Sequence, residues 1–185
     1  MRNMTSSPTP APASPPVKRR TWLAAALAAG VAAAAGGAWH LRRQTAPSDA
    51  VDDRLWNIAL PQLDGQTMAM RQWLGHPIIV NFWATWCAPC VQELPLLNAF
   101  HQAQPQWRVV GVAVDTPENV ARFVKRFSLQ FPVGIAGAQG VQLAQSLGST
   151  GGLPFTLMSD ASGRIRATKS GQIHAQDLDS WLQMA

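Results

Sequence analysis

The sequence predicts an α/β domain: a mixed central β-sheet flanked by helices, with an N-terminal β-hairpin extension and a signal or anchor segment ahead of it. Three observations carry this reading. Two continuous apolar runs of strand type, Ile78–Trp83 and Arg108–Val114, are each followed by a segment of helical periodicity. Two further short strands come late, joined by a turn and followed by a last helix, which is the order of a sheet mixing parallel and antiparallel strands. The charge is also divided sharply along the chain, leaving one stretch with the composition of a single globular domain.

Of the 15 Lys and Arg residues, six (Arg2, Lys18, Arg19, Arg20, Arg42, Arg43) precede residue 49, where no acid occurs. The remaining nine bases and all ten acids follow, so the formal +5 of the whole chain becomes −1 for residues 49–185. The basicity belongs to an N-terminal appendage, and a nucleic-acid partner is excluded for the folded part. With 47% apolar and 14% charged residues the chain is not a disordered polyampholyte. The part after about Val51 is long enough for one domain with a real core.

Four segments are expected. Residues 1–20 form a Pro-rich basic tail, with five prolines among residues 5–16, too many for helix or sheet. Residues 21–39 form a signal peptide or transmembrane anchor. Trp22–Trp39 is uncharged and ten of its eighteen residues are Ala, so it is long enough to span a thin bilayer but only weakly apolar. Lys18, Arg19 and Arg20 before it, and small residues at Gly36 and Ala38, have the layout of an export signal oriented N-in, C-out. Arg19–Leu23 resembles a twin-arginine signal. Residues 40–53 read as a polar linker, and residues 54–185 as the domain. The expected location is periplasmic or extracytoplasmic, exported or anchored through membrane contact of residues 22–39.

Within the domain, Leu55–Leu60 and Met68–Met70 flank Asp64-Gly65 and predict the hairpin. Ile78–Trp83 is a strand, and helical periodicity runs from the cysteine pair to about Ala103. Arg108–Val114 is the next strand. Asp115-Thr116-Pro117-Glu118 signals a helix start, and Val120, Phe123, Val124 and Phe127 give that helix one apolar face. A short strand over Phe131–Ile135 and a short helix over Val141–Leu147 follow. Phe155–Met158 and Ile165–Lys169 are strands about a turn at Asp160–Gly163, and His174–Met184 closes the chain as a helix.

Only two cysteines occur, Cys87 and Cys90, three apart, which excludes a disulfide-stapled scaffold and a four-cysteine zinc site and leaves one local redox or metal pair. They lie where a buried strand gives way to a helix. A thiol there faces unpaired backbone N–H groups and the positive end of the helix dipole, so Cys87 should ionise readily and attack. Cys90, one turn on, is placed to resolve a mixed disulfide on Cys87, and Pro89 suits an early helical position. Glu93 shares a helix face with Cys90, Leu97 and Phe100, so its carboxyl should point inward, rise in pKa through desolvation and shuttle protons for Cys90. Pro95 should remove one hydrogen bond of this helix. The four histidines, His40, His76, His101 and His174, have no metal spacing, and no metal site or cofactor beyond the cysteine pair is expected.

Ile78–Pro95 (IIVNFWATWCAPCVQELP) resembles the active-site segment of thioredoxin-fold thiol–disulfide oxidoreductases of the TlpA/ResA/CcmG type, and Gly152–Thr156 (GLPFT) resembles their cis-proline loop. The likeness covers about residues 52–184. It implies a thioredoxin-like fold, a cis Leu153–Pro154 bond beside Cys87, and a docking surface for protein substrates that includes Trp86, Ala88, Pro89, Leu153 and Pro154. It also implies a glutamate at position 93 that moves protons, Asn81 in place of the buried Asp of cytosolic thioredoxins, protein clients bearing thiols or disulfides, and an upstream membrane electron donor. The activity expected is reduction of client disulfides, as in maturation of c-type cytochromes or copper-site proteins. Two departures fall in loops expected near the docking groove: Gly134–Gly140 lacks an acid, and Phe155 replaces a polar residue. Two other readings stay in view. A peroxiredoxin-like peroxidase would want threonine at Ala84, and a Cu(I)-binding module would use the two thiolates as soft ligands.

Overall fold

The computed structural model describes residues 51–184. The tail, the signal or anchor segment, His40 and almost all of the linker lie outside the described residues. Among the described residues no helix is long and apolar enough to cross a membrane.

The domain opens with a single helical turn, α1 (Asp53–Trp56), and a hairpin of β1 (Ala59–Pro61) and β2 (Thr67–Ala69), followed by a 3-10 turn over Met70–Trp73. Then come β3 (Ile78–Trp83), α2 (Ala88–Ala103), β4 (Arg108–Ala113), α3 (Pro117–Phe127), β5 (Val133–Ile135), a 3-10 turn over Gly137–Gln139 and α4 (Gly140–Ser146). The chain ends with β6 (Phe155–Ser159), β7 (Ile165–Ser170) and α5 (Ala175–Leu182). The five-stranded sheet has the order β5-β4-β3-β6-β7. β3, β4 and β5 run parallel, whereas β6 is antiparallel to β3 and β7 to β6. This is the mixed sheet expected from the order of elements.

β3 is central and all six of its residues are buried, which is why it reads as an unbroken apolar run. Its side chains divide between two cores. Ile79 and Trp83 pack with Leu94 and Leu97 of α2, Phe123 of α3 and Leu178 and Trp181 of α5. Ile78, Val80 and Phe82 pack on the other face with Leu55, Trp56, the hairpin residues Leu60 and Met68, and Ala144 of α4. The central sheet thus has helices on both faces.

The sequence placed Leu55 and Trp56 in a strand, and the structure corrects this. Asp52 caps α1, its side chain accepting from Arg54 N, and both Leu55 and Trp56 are buried. The Trp56 indole N–H donates to the Gly163 carbonyl at 2.7 Å. Burying so large a ring with its one polar atom satisfied fixes the entry of the chain to the β6–β7 turn. Asp52 and Asp53 therefore belong to the folded domain rather than to the linker. Phe127, expected on the buried face of α3, is 41% exposed and stacks on Phe123 with ring centroids 4.1 Å apart.

A side chain at Gly111, in β4, would collide with Trp83 and Phe131, since a Cβ there would lie 2.9 Å from the indole nitrogen and 3.1 Å from the phenyl ring. Both rings are buried and rigidly packed, so Gly111→Ala should cost about 1–3 kcal/mol. Urea unfolding should show a lower midpoint at unchanged slope, and an unchanged midpoint would contradict this packing.

Candidate active site

The strand–helix junction positions the cysteines. β3 ends at Trp83, whose carbonyl accepts from Val114 N at 2.8 Å, and the chain then turns outward, with Cys87 N donating to Ala84 O at 3.2 Å. Cys87 is the N-cap of α2 in extended conformation, and its Sγ accepts from Cys90 N at 3.3 Å. This is the contact expected of a sulfur facing the unpaired N–H groups of a helix start. Pro89 sits in the first helical turn, where no N–H is needed. Cys87 and Cys90 are joined as a disulfide with Cα atoms 5.2 Å apart. Their exposures differ in the direction that matters, 6% for Cys87 and none for Cys90. Trp86, Ala88 and Pro89 are exposed around the pair, and Trp86 is 68% exposed. Trp83, by contrast, is wholly buried against Phe123.

The register of β6 brings the second loop to the same end of the sheet. Phe155 pairs with Phe82 and Thr156 with Asn81, so Leu153 and Pro154 fall beside the point where β3 gives way to the cysteine loop. The Leu153–Pro154 bond is cis, as expected. The Pro154 carbonyl accepts from Gly171 N at 2.9 Å, which ties the loop to the end of β7. Phe155 was expected near the docking groove. It is instead fully buried, with its ring 5.7 Å from that of Phe82, because the first residue of β6 points to the hairpin side of the sheet.

Beneath the pair, Glu93 is 1% exposed. Its Oε1 accepts from Asn81 Nδ2 at 2.7 Å and its Oε2 from Ile173 N at 2.8 Å. Burial pushes the carboxyl up to about 7, against the pull of these two donors. A carboxyl that changes charge near neutrality, one helical turn from Cys90, is suited to deliver and accept a proton there.

A second carboxylate escaped the sequence, where it read as part of a helix-start signal. The cap of α3 is Thr116. Asp115 instead accepts from Thr85 N at 3.1 Å, from the Thr85 hydroxyl, from Thr116 N at 2.7 Å and from Asn119 Nδ2 at 2.8 Å. Burial pushes it up, but these bonds prevail and hold it below the usual carboxylate range. It fastens the residue before Trp86 to the start of α3. Next to it lies a mostly apolar cleft of about 560 Å³ lined by Trp86, Val114, Pro117, Ile135, Gly137 and Val141. The segment 134–140 does reach the rim of the active site, as expected from the sequence.

His76, His101 and His174 are scattered. His101 is partly buried beside Phe131, and burial, with Arg108 nearby, holds it below its ordinary value. Among the described residues no group of three His, Cys, Asp or Glu side chains is placed to share a metal ion.

Residues 51–168 match the AhpC/TSA family. Thiol-disulfide oxidoreductase ResA of Bacillus cereus is 30% identical over 130 residues, which cover 69% of this chain and 73% of that protein. Among solved structures, a thioredoxin-family thiol:disulfide interchange protein of Chlorobium tepidum superposes with a TM-score of 0.61 at 28% identity, over 69% of this chain and 92% of that one. A secreted disulfide oxidoreductase of Mycobacterium tuberculosis shares the fold at 22% identity with a TM-score of 0.62, over 73% of this chain and the whole of that one.

The elevated Glu93 makes stability depend on pH in a definite direction. In the unfolded chain the group ionises near its ordinary 4.5, and in the folded chain at about 7. Between these values the folded protein keeps a proton that the unfolded chain has lost, so its stabilising contribution is full below the lower value and disappears as pH rises through the upper one. The whole loss is about 3 kcal/mol. Urea titrations of the oxidised protein from about pH 5 to about pH 8 should show a fall that the Glu93→Gln variant lacks, and parallel curves for the two proteins would contradict the assignment.

Proposed function

The chain belongs to the AhpC/TSA family and is a thiol–disulfide oxidoreductase, and from that premise we propose that it reduces disulfides of client proteins outside the cytoplasm. The observation that carries this is the Cys87–Cys90 disulfide at the N-terminus of α2, with the more exposed sulfur outward and Glu93 buried below. The disulfide is itself the redox group. In its reduced form Cys87 attacks a client disulfide as thiolate and forms a mixed disulfide, releasing one client thiol. Cys90 then loses its proton to Glu93 and attacks Cys87 Sγ, which frees the second client thiol and closes the Cys87–Cys90 bond.

Electrostatics at the same site supports this direction. One N–H donor to Cys87 Sγ stabilises a thiolate modestly, whereas a buried acid beneath Cys90 disfavours a second negative charge. The reduced pair is therefore not greatly stabilised, which favours a reductant. An oxidising compartment needs one wherever a client must present free thiols. Export is supported by the basic residues ahead of the apolar run 22–39, which also supply the membrane contact. An upstream membrane electron donor would return the pair to the dithiol. The exposed Trp86, Ala88 and Pro89 and the half-buried Leu153 form the client-facing rim, and Pro154, buried beside them, contributes to it only from beneath. A peroxidase finds no support at Ala84, where such an enzyme would place threonine.

Cys87→Ser should reduce insulin no faster than the uncatalysed control, and Cys90→Ser should accumulate mixed disulfides with clients on non-reducing gels. Undiminished activity in the Cys87 variant would overturn the mechanism. Equilibration with glutathione or dithiothreitol should place the pair below about −220 mV, and a value near about −120 mV would make the protein an oxidant.

A further inference from the structure

Asn81 stands in the middle of β3, wholly buried, at the level of Glu93. Its amide nitrogen directs one bond to Glu93 Oε1 at 2.7 Å and another to Thr156 Oγ1 at 2.9 Å, the residue opposite it on β6. Both amide hydrogens are thereby used. Among the described residues, however, Asn81 Oδ1 is buried and meets no donor. A buried acceptor left empty is unfavourable. Turning the amide over would aim Oδ1 at Glu93 Oε1, a contact that only the protonated acid could make good, by donating its O–H. The orientation found is thus the one that serves an ionised Glu93, at the expense of the amide's own carbonyl.

We propose that Asn81 is a positioning residue whose amide holds the Glu93 carboxylate and so sets the pH at which Glu93 exchanges the proton that accompanies opening and closing of the Cys87–Cys90 disulfide. This rests on the reading of Glu93 as the proton carrier for Cys90. When a dithiol donor reduces the pair, its thiolate bonds to Cys87 Sγ, the Cys87–Cys90 bond breaks, and Cys90 leaves with the electron pair and takes the Glu93 proton. The carboxylate that results is received by Asn81 Nδ2 and Ile173 N until solvent returns a proton. Closure of the pair runs the same transfer backwards.

The other neighbours of Glu93 leave this task to Asn81. On its own helix the titratable neighbour is Cys90, locked in the disulfide. β6 offers Thr156, which carries no charge. β7 places Lys169 opposite Thr156, but the Lys169 ammonium is 3.1 Å from Asp177 of α5 and forms an ion pair there. His174, beside Ile173, caps α5, its backbone N–H donating to Asp177 at 2.9 Å. The remaining donor to Glu93, Ile173 N, belongs to the backbone and no side-chain substitution removes it. Asn81 is the side chain through which the sequence can tune this carboxyl.

The test is a carboxyl-carbon NMR titration of Glu93 in the oxidised protein. The wild-type midpoint should lie at about 7. Asn81→Ala removes a donor to the charged form and should move the midpoint upward by about one pH unit, and an unmoved midpoint overturns the proposal. If that variant does not fold, the wild-type Asn81 side-chain amide nitrogen must titrate with the same midpoint as the Glu93 carboxyl, and an amide signal that stays flat through that range overturns the proposal equally. The pH profile of disulfide reduction separates this from the underlying reading. Glu93→Gln should erase the ionisation near neutrality. If the ionisation survives in Glu93→Gln, Glu93 is not the proton carrier, whatever the NMR titration says of Asn81.

Discussion

The buried carboxyl group of Glu93, pinned between the sheet and the helix that carries the cysteines, constrains how the rest of the site can be built. An acid in a core is tolerated when donors meet its charged form or when it stays protonated. Here both apply in part. Two N–H groups reach its oxygens, yet burial keeps its ionisation near neutrality. β3 must therefore carry a polar residue at Asn81 in an otherwise apolar strand, and the chain before α5 must pass close enough for Ile173 N to donate. Cys90, one turn nearer the N-terminal end of α2, then lies sealed above a proton source, and Cys87, the N-cap before it, is the sulfur that meets solvent.

Two carboxyl groups near this end of the sheet are driven in opposite directions. Glu93 has two donors and deep burial, and is raised. Asp115 has four hydrogen bonds from three residues and a place nearer the surface, and is lowered. A carboxylate held charged by its neighbours is an anchor, whereas one poised near neutrality can move protons. Asp115 accordingly holds the loop at Thr85, next to the exposed indole of Trp86. The same fold thus separates a group that fixes the geometry of the loop from one that can take part in exchange.

Much of this was legible in the sequence because the signals were local. The apolar run of β3 shows that it is buried on both faces, the cysteine spacing shows a pair at a helix start, and the face shared by Cys90, Glu93, Leu97 and Phe100 shows the acid pointing inward. The cis bond at Pro154 came only through resemblance, since no local rule distinguishes it from a trans one. The misses depended on partners distant in the chain. α1 is set by Trp56 reaching Gly163, more than a hundred positions away, and four residues carry too little periodicity to announce a helix. Asp115 read as part of a helix start because its true partner, Thr85, lies thirty residues earlier. Phe155 could be assigned to a face only once its register with Phe82 was known.

The central claim is an asymmetry between two cysteines three residues apart, with Cys87 attacking and Cys90 sealed above an acid. Limited alkylation of the fully reduced protein at neutral pH, with the modified peptide identified by mass spectrometry, tests it most directly. The account predicts a single adduct on Cys87 while Cys90 remains unmodified. Equal labelling of the two, or labelling of Cys90 first, would contradict it.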